Sequence, residues 1–94
     1  MKMGACNIHV VQKGNSMREA FSTAVEEAER EYGHGQGYSG AINSCRLTGD
    51  KTTLYNEMSE DEFEEWALDN TDKREVLGYD RGDGSFGFVG WAPE

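Results

Sequence analysis

Histidine and cysteine side chains that could perform nucleophilic chemistry are few, while carboxylates are so abundant that none can be singled out as an acid–base pair. His9 and His34 are the two histidines, and Cys6 and Cys45 are the two cysteines. A hydrolase would need a histidine beside a Ser or Cys nucleophile, but no G-x-S-x-G frame surrounds any serine. We therefore expect no catalysis, with His9 on a strand surface and His34 in a solvated loop.

A glycine-rich segment, residues 33–40, contains the G-x-G-x-G spacing of phosphate-binding loops. Such loops follow a strand and open a helix, so that the phosphate meets a helix N-terminus. This segment follows a predicted helix and opens a predicted strand, which favours a plain connection. Sequestration of a nucleotide signal by this segment is the weakest of the functional hypotheses. We expect no cofactor.

The remaining small motifs favour turn chemistry and packing over a metal site. Asp80 and Asp83 flank glycine, but the calcium-loop pattern D-x-[DN]-x-[DN]-G and its closing Glu are missing. Arg81-Gly82-Asp83 spells a cell-adhesion tripeptide and also supplies good turn residues. The cysteines lack zinc-site spacing, so we expect reduced, packed thiols and no metal. A disulfide between Cys6 and Cys45 remains an alternative if their two strands are neighbours.

A dense run of carboxylates from Glu57 to Asp72 is the most informative feature. It holds eight acidic side chains and no basic one. Crowded like charges oppose helix formation, and only acids in the first turn gain from the helix dipole. The run therefore predicts a carboxylate surface that binds Arg and Lys of a basic partner, with help from the acidic residues of the preceding helix. A solvated acidic face is the alternative.

The predicted partner-binding residues are Glu57, Glu60, Asp61, Glu64, Glu65, Asp69, Asp72, Glu26, Glu27 and Tyr38. Trp66 and Trp91 are further candidate anchors, since Tyr and Trp often dominate interface energetics. For Trp66 a plain core position is the competing interpretation.

Length and charge limit the function classes. The 94 residues form a single predicted domain, 1–94, and the net charge of −9 comes from 18 acidic and 9 scattered basic residues. Direct nucleic-acid binding needs a basic patch, so this charge argues against it. It favours a basic partner, or it serves solubility. No signal peptide or membrane-length apolar run is seen, so we expect a cytoplasmic protein.

The elements that must position these residues follow from periodicity and turn signals. Ser16 and Ser59 each begin a capping-box pattern, and R-G-D-G separates two apolar runs as a hairpin turn. The predicted order is a strand over 5–13, a helix over 16–32, a strand over 38–48 closed by a turn at Gly49-Asp50, a short strand over 52–55, a helix over 59–70, and a hairpin of 74–80 with 85–92. This order predicts an α+β two-layer sandwich, with two helices on one face of a small, mostly antiparallel sheet.

Three segments together resemble small uncharacterised proteins of tailed phages. They are Tyr32-Gly33 at the end of an acidic helix, Tyr38-Ser39-Gly40-Ala41-Ile42 at a strand opening, and Phe86-Gly87-Phe88-Val89-Gly90-Trp91-Ala92 near the C-terminus. In that group the opening usually reads Y-x-G-T-I and the last strand F-F-G-W-A, within the pattern F-x-G-W-A, so Ala41 and the inserted glycines are departures.

The resemblance implies a phage or mobile-element product that acts inside an infected bacterium, and it carries over no catalytic residues. With the small size and acidity, it favours an inhibitor of host defence, anti-CRISPR-like in kind, that binds a basic surface of a host protein or ribonucleoprotein complex. The alternative is a phage housekeeping module, including a homodimer that pairs edge strands across a two-fold axis.

Overall fold

Helices cover both faces of a four-stranded sheet in a computed structural model that describes residues 5–32, 42 and 45–93. The elements are β1 (Ala5–Lys13), α1 (Met17–Tyr32), β2 (Arg46–Asp50), α2 (Thr52–Tyr55), α3 (Glu60–Asp69), β3 (Glu75–Asp80) and β4 (Ser85–Pro93). The strand order is β1-β4-β3-β2. β4 is antiparallel to both of its neighbours, and β2 is parallel to β3. The predicted α+β class and mostly antiparallel sheet are confirmed.

Side-chain caps fix the starts of the two longer helices. Ser16 Oγ accepts from the Glu19 amide at 3.1 Å, while the Glu19 carboxylate accepts from the Asn15 amide at 3.3 Å. The capping box at Ser59 is complete, because its hydroxyl and the Glu62 carboxylate each accept from the other residue's amide. These bonds satisfy amides that have no partner inside the helix.

The hairpin turn between β3 and β4 forms where the glycines predict it. Gly82 and Gly84 have φ angles of 83° and 87°. A side chain is strained in this region of backbone space, so glycine is the residue that fits. Asp80 and Asp83 tighten the turn by accepting from the amides of Gly82 and Ser85. The interpretation of these residues as turn chemistry is confirmed.

Two predictions around β2 are wrong. Residues 52–55 form a helical turn instead of a short strand, because Asp50 Oδ1 accepts from the Thr52 amide at 3.0 Å and its hydroxyl at 2.6 Å. Gly49 and Asp50 consequently end β2 instead of forming a turn. Within the described residues the strand begins only at Arg46, and the rest of the predicted strand start, 38–41 and 43–44, lies outside them.

The helices are divided between the two faces of the sheet, which differs from the expectation that both share one face. Ala20, Ala24 and Ala28 of α1 pack in one cluster with Val76 and Phe88. A second cluster holds α3 and α2 against the opposite face, through Phe63, Ala67, Leu77, Tyr79, Val89 and Tyr55. Since successive strand residues point to opposite faces, neighbours such as Val76 and Leu77 serve different helices.

Burial on both faces explains why β3 and β4 have continuous apolar runs. Residues 76–79 and 86–90 are all buried. Phe63, Tyr79 and Phe88 are each 0% exposed, and burying a side chain of this kind contributes about 1.5–3 kcal/mol. The aromatic residues of the hairpin therefore hold both helical layers to one pair of strands.

Two further expectations concern the thiols and membranes. Cys6 and Cys45 are not joined by a disulfide, and Cys45 Sγ donates to the Trp91 carbonyl at 3.4 Å. This agrees with the expectation of reduced, packed thiols. In the described part of the chain, no helix has the length and hydrophobicity needed to cross a bilayer.

Candidate functional site

The predicted carboxylate run folds as α3 and the residues beside it, and α3 sorts its acids into two rows. Residues four apart lie on the same side of a helix. We call Glu60 and Glu64 the inner row, since their side chains are 35% and 36% exposed and reach the sheet. Asp61, Glu65 and Asp69 form the outer row, and all three are exposed.

Side chains of β1, of β3 and of the residue after β3 hydrogen-bond to the inner row. His9 Nδ1 of β1 donates to Glu64 Oε2 at 2.9 Å, and its Nε2 is hydrogen-bonded to the Tyr79 hydroxyl. That hydroxyl donates to Glu60 Oε2 at 2.8 Å. Arg81 Nε, just after β3, donates to the same oxygen at 3.0 Å. The network thereby ties α3 to both β1 and β3.

Tyr79 is the buried centre of this network. Its ring is 0% exposed, stacks on Tyr55 at 4.2 Å and meets Phe63 edge-on at 4.7 Å. It also lies directly over Gly87 of β4, where any side chain would overlap the ring. Burial, reinforced by the hydrogen bond to Glu60, raises the pKa of the Tyr79 hydroxyl. The hydroxyl therefore stays neutral and available as a donor.

Glu60 is held in its charged form by the same contacts. The hydrogen bond from Tyr79 and the guanidinium of Arg81 lower the pKa of this carboxyl below 4.5. Reciprocally, the hydrogen bond to Glu60 raises the pKa of Arg81. Charge-assisted bonds of this type are the stronger ones in proteins.

The chemistry that this cluster supports is attachment of α3. The nucleophilic atom of Tyr79 is buried and already has two partners, and Glu60 is engaged by two donors. His9 is also more deeply placed than expected for a strand-surface residue, because α3 covers its face of β1 and leaves the side chain 23% exposed. Within the described residues, no group of acidic, His and Cys side chains has the arrangement of a metal site.

The outer row differs because no described side chain neutralises it. Asp61, Glu65 and Asp69 make no ion pair or side-chain hydrogen bond with the described part of the chain. Glu57, before the helix, and Asp72, after it, are also exposed. Five of the predicted contact residues thus lie on the solvent side of α3 or beside its ends.

The other predicted contact residues do not join this surface. Glu26 and Glu27 are exposed on α1, which packs on the opposite face of the sheet from α3. A partner surface that covers α3 therefore leaves the α1 carboxylates uncovered. Tyr38 lies outside the described residues.

The two tryptophans are partly buried structural residues. Trp66 is half-buried and packs against the second cluster, with its ring centre 6.1 Å from that of Phe63. Trp91 Nε1 donates to the Leu68 carbonyl at 2.7 Å and so fixes the C-terminal part of α3 on β4. Both side chains hold the acidic helix in place.

Two features of the structure had no clear signal in the sequence. His9 is far in the sequence from Tyr79 and Arg81, and only the sheet register brings all three to α3. The one local signal was the histidine itself within a predicted strand. The second feature is a groove of about 470 Å³ on the α1 face, between α1 and β2, lined by Met17, Arg18, Phe21, Leu47, Thr48, Gly49 and Asp50.

No protein-family model, curated protein or solved structure matches this chain.

Proposed function

We propose that this chain is a binding protein whose outer row occupies a basic, nucleic-acid-binding surface of another macromolecule and blocks it. The resemblance to small phage proteins supplies the setting, the cytoplasm of an infected bacterium. The partner is then a host defence complex that targets nucleic acid, and the chain acts as an inhibitor of the anti-CRISPR kind.

One observation carries the proposal, namely the contrast between the two rows of α3. The inner row is matched by His9 and Arg81, while Asp61, Glu65 and Asp69 have no cation beside them among the described residues. Like charges four apart destabilise a helix. A protein partner that supplies Arg and Lys offsets this repulsion in the complex.

The net charge of −9 extends the effect beyond direct contacts. Opposite charges on two partners speed their encounter. At physiological salt, ions screen this attraction between charges that are more than about 8–10 Å apart. The complex should therefore form quickly and weaken as ionic strength rises. Carboxylates that replace phosphates against a basic groove also explain how an acidic protein opposes nucleic acid without binding it.

The test is affinity purification of the tagged chain from a bacterium with intact defence systems, at low and at high salt, with the recovered proteins identified by mass spectrometry. Its affinity for the recovered partner is then compared with that of Asp61→Asn/Glu65→Gln/Asp69→Asn. We expect this variant to lose about tenfold or more in affinity, or 1.4 kcal/mol.

A matched control changes the same number of charges on the other face of the sheet. Glu26→Gln/Glu27→Gln/Glu31→Gln removes three exposed carboxylates of α1 and should bind almost as the unmodified chain does. An equal loss in both variants would assign the effect to net charge alone. Recovery of the chain without any partner would favour the housekeeping alternative.

A further inference from the structure

The two edges of the sheet differ in how they resist pairing with another strand. β2 is short, has an irregular register between Leu47 and Gly49, and has charged residues at both ends. β1 is nine residues long and pairs with β4 in an unbroken register. It contains no proline, and Lys13 at its end is its only Lys, Arg, Asp or Glu. Bulges, charges and short length protect an edge, so within the described part of the chain β1 is the unprotected edge.

The backbone of β1 offers a full set of hydrogen-bonding groups on its outer side. Gly14 N donates to Gly84 O, in line with the β1–β4 register. Antiparallel strands alternate between bonded and non-bonded pairs, so the even-numbered residues of β1 bond to β4. The amides of Asn7, His9 and Val11 then point away from the sheet. No other described strand lies beyond them.

The side chains at this edge are also accessible on the face that α3 covers. Val11 is 45% exposed, the one exposed large hydrophobic residue of the described chain, and Asn7 is exposed as well. Glu64 reaches His9 of β1 at 2.9 Å. An added strand would lie about 4.8 Å beyond β1. Half of its side chains would lie on the face that α3 covers, where Glu64 already reaches β1.

We propose that β1 accepts an extended segment of the partner as a fifth strand, and that this segment carries Lys or Arg at alternate positions facing α3. The charge of the segment rests on the proposed function, while its pairing with β1 rests on the edge geometry. A second copy of this chain fits the edge less well, since each copy has a net charge of −9. Main-chain bonds would supply affinity, and alternate side chains would supply specificity.

The probe is a seven-residue synthetic peptide of alternating Val and Lys, and the readout is its affinity together with hydrogen exchange of the β1 amides. We expect binding to slow exchange at Asn7, His9 and Val11. A peptide of alternating Val and Glu should bind at least about tenfold more weakly.

A pair of variants tests the edge itself. Val11→Pro removes an outward amide and leaves the bonds to β4 intact, since proline is tolerated where the N–H faces solvent. It should weaken peptide binding about tenfold. Val11→Thr keeps both the amide and the β-branched shape, and should bind as the unmodified chain does.

A change in the peptide covers the case in which Val11→Pro does not fold. Two Val–Lys peptides, one N-methylated at its Lys amides and one at its Val amides, keep their charge, and the one that lacks the donors facing β1 should not bind the unmodified chain. Unweakened binding of both methylated peptides, or an absence of binding by the unmethylated one, would overturn the inference. Either result leaves the proposed function to its own test, the recovery and affinity of the cellular partner.

Discussion

Helix α3 carries two rows of carboxylates that have similar composition and opposite surroundings. Glu60 and Glu64 meet Arg81, Tyr79 and His9, whereas the outer row meets no described cation. The difference arises from the sheet register, because residues of β1 and β3 that are distant in sequence supply the partners of one row only. A run of carboxylates in a sequence can therefore contain both acids that bond to the rest of the fold and acids that face solvent.

The largest stability effect is expected from removing the hydroxyl that centres the inner row. Tyr79→Phe deletes hydrogen bonds to Glu60 and His9 and should lower the free energy of unfolding by about 1–2 kcal/mol. Urea denaturation measures this change.

Tyr55→Phe is the matched control for that experiment. Its ring also stacks in the second cluster, but its hydroxyl has no side-chain partner among the described residues. It should change stability by less than about 0.5 kcal/mol. Equal losses in the two variants would mean that the hydroxyl network does not hold α3.

An intermediate effect is expected from acid. Tyr79 and Arg81 lower the pKa of Glu60 from its ordinary value of 4.5. The charged carboxylate therefore stabilises the fold above pH 4.5, and this contribution is lost as the pH falls through the pKa of the folded state. Glu60→Gln should therefore flatten the decline in the free energy of unfolding below 4.5, measured by urea denaturation in pH steps.

Part of the acid dependence should remain in that variant. The pKa of Glu62 is lowered by its bonds to Ser59, and the pKa of Asp83 by its bonds to Ser85. Glu65→Gln, the same change in the outer row, should keep the original slope. If Glu60→Gln also keeps it, the inner row contributes nothing through its charge.

The smallest effect concerns the outer row and has the opposite sign. Glu65→Gln/Asp69→Asn relieves like-charge repulsion at two i, i+4 pairs, including the pair with Asp61, each worth about 0.2–0.5 kcal/mol. Asp69 also lies in the last turn of the helix, where a negative charge opposes the dipole. The melting temperature should rise slightly at low salt, and added salt should reduce the gain. A loss of stability would show that these carboxylates have a structural role.

Local signals in the sequence were sufficient to locate most elements. The capping box at Ser59 and the glycines of the hairpin turn place α3 and β4 because each motif satisfies its own backbone needs. The turn at Thr52 could not be anticipated in this way, since Asp50 stabilises it through one side-chain contact. The division of the helices between two faces follows from the apolar run Val76–Tyr79, which shows no alternation because both of its faces are buried.

For the site, the sequence identified the acidic helix but not the roles of its residues. Glu60 and Glu65 look alike in a run of acids, and only the position of Tyr79 and Arg81 distinguishes them. Periodicity alone assigns neither residue a partner, because the contacts join positions that are far apart in the chain. His9 was assigned to the surface for the same reason.

The central position of β4 also has a consequence for the order of folding. β4 is the only described strand to which β1 bonds, and it follows every other described element in the chain. Pairings between segments so distant in sequence form late, since closing a long loop costs entropy first. During synthesis β1 therefore has no partner among the described strands until β4 has been made. In that interval its nine residues can pair with any extended chain nearby.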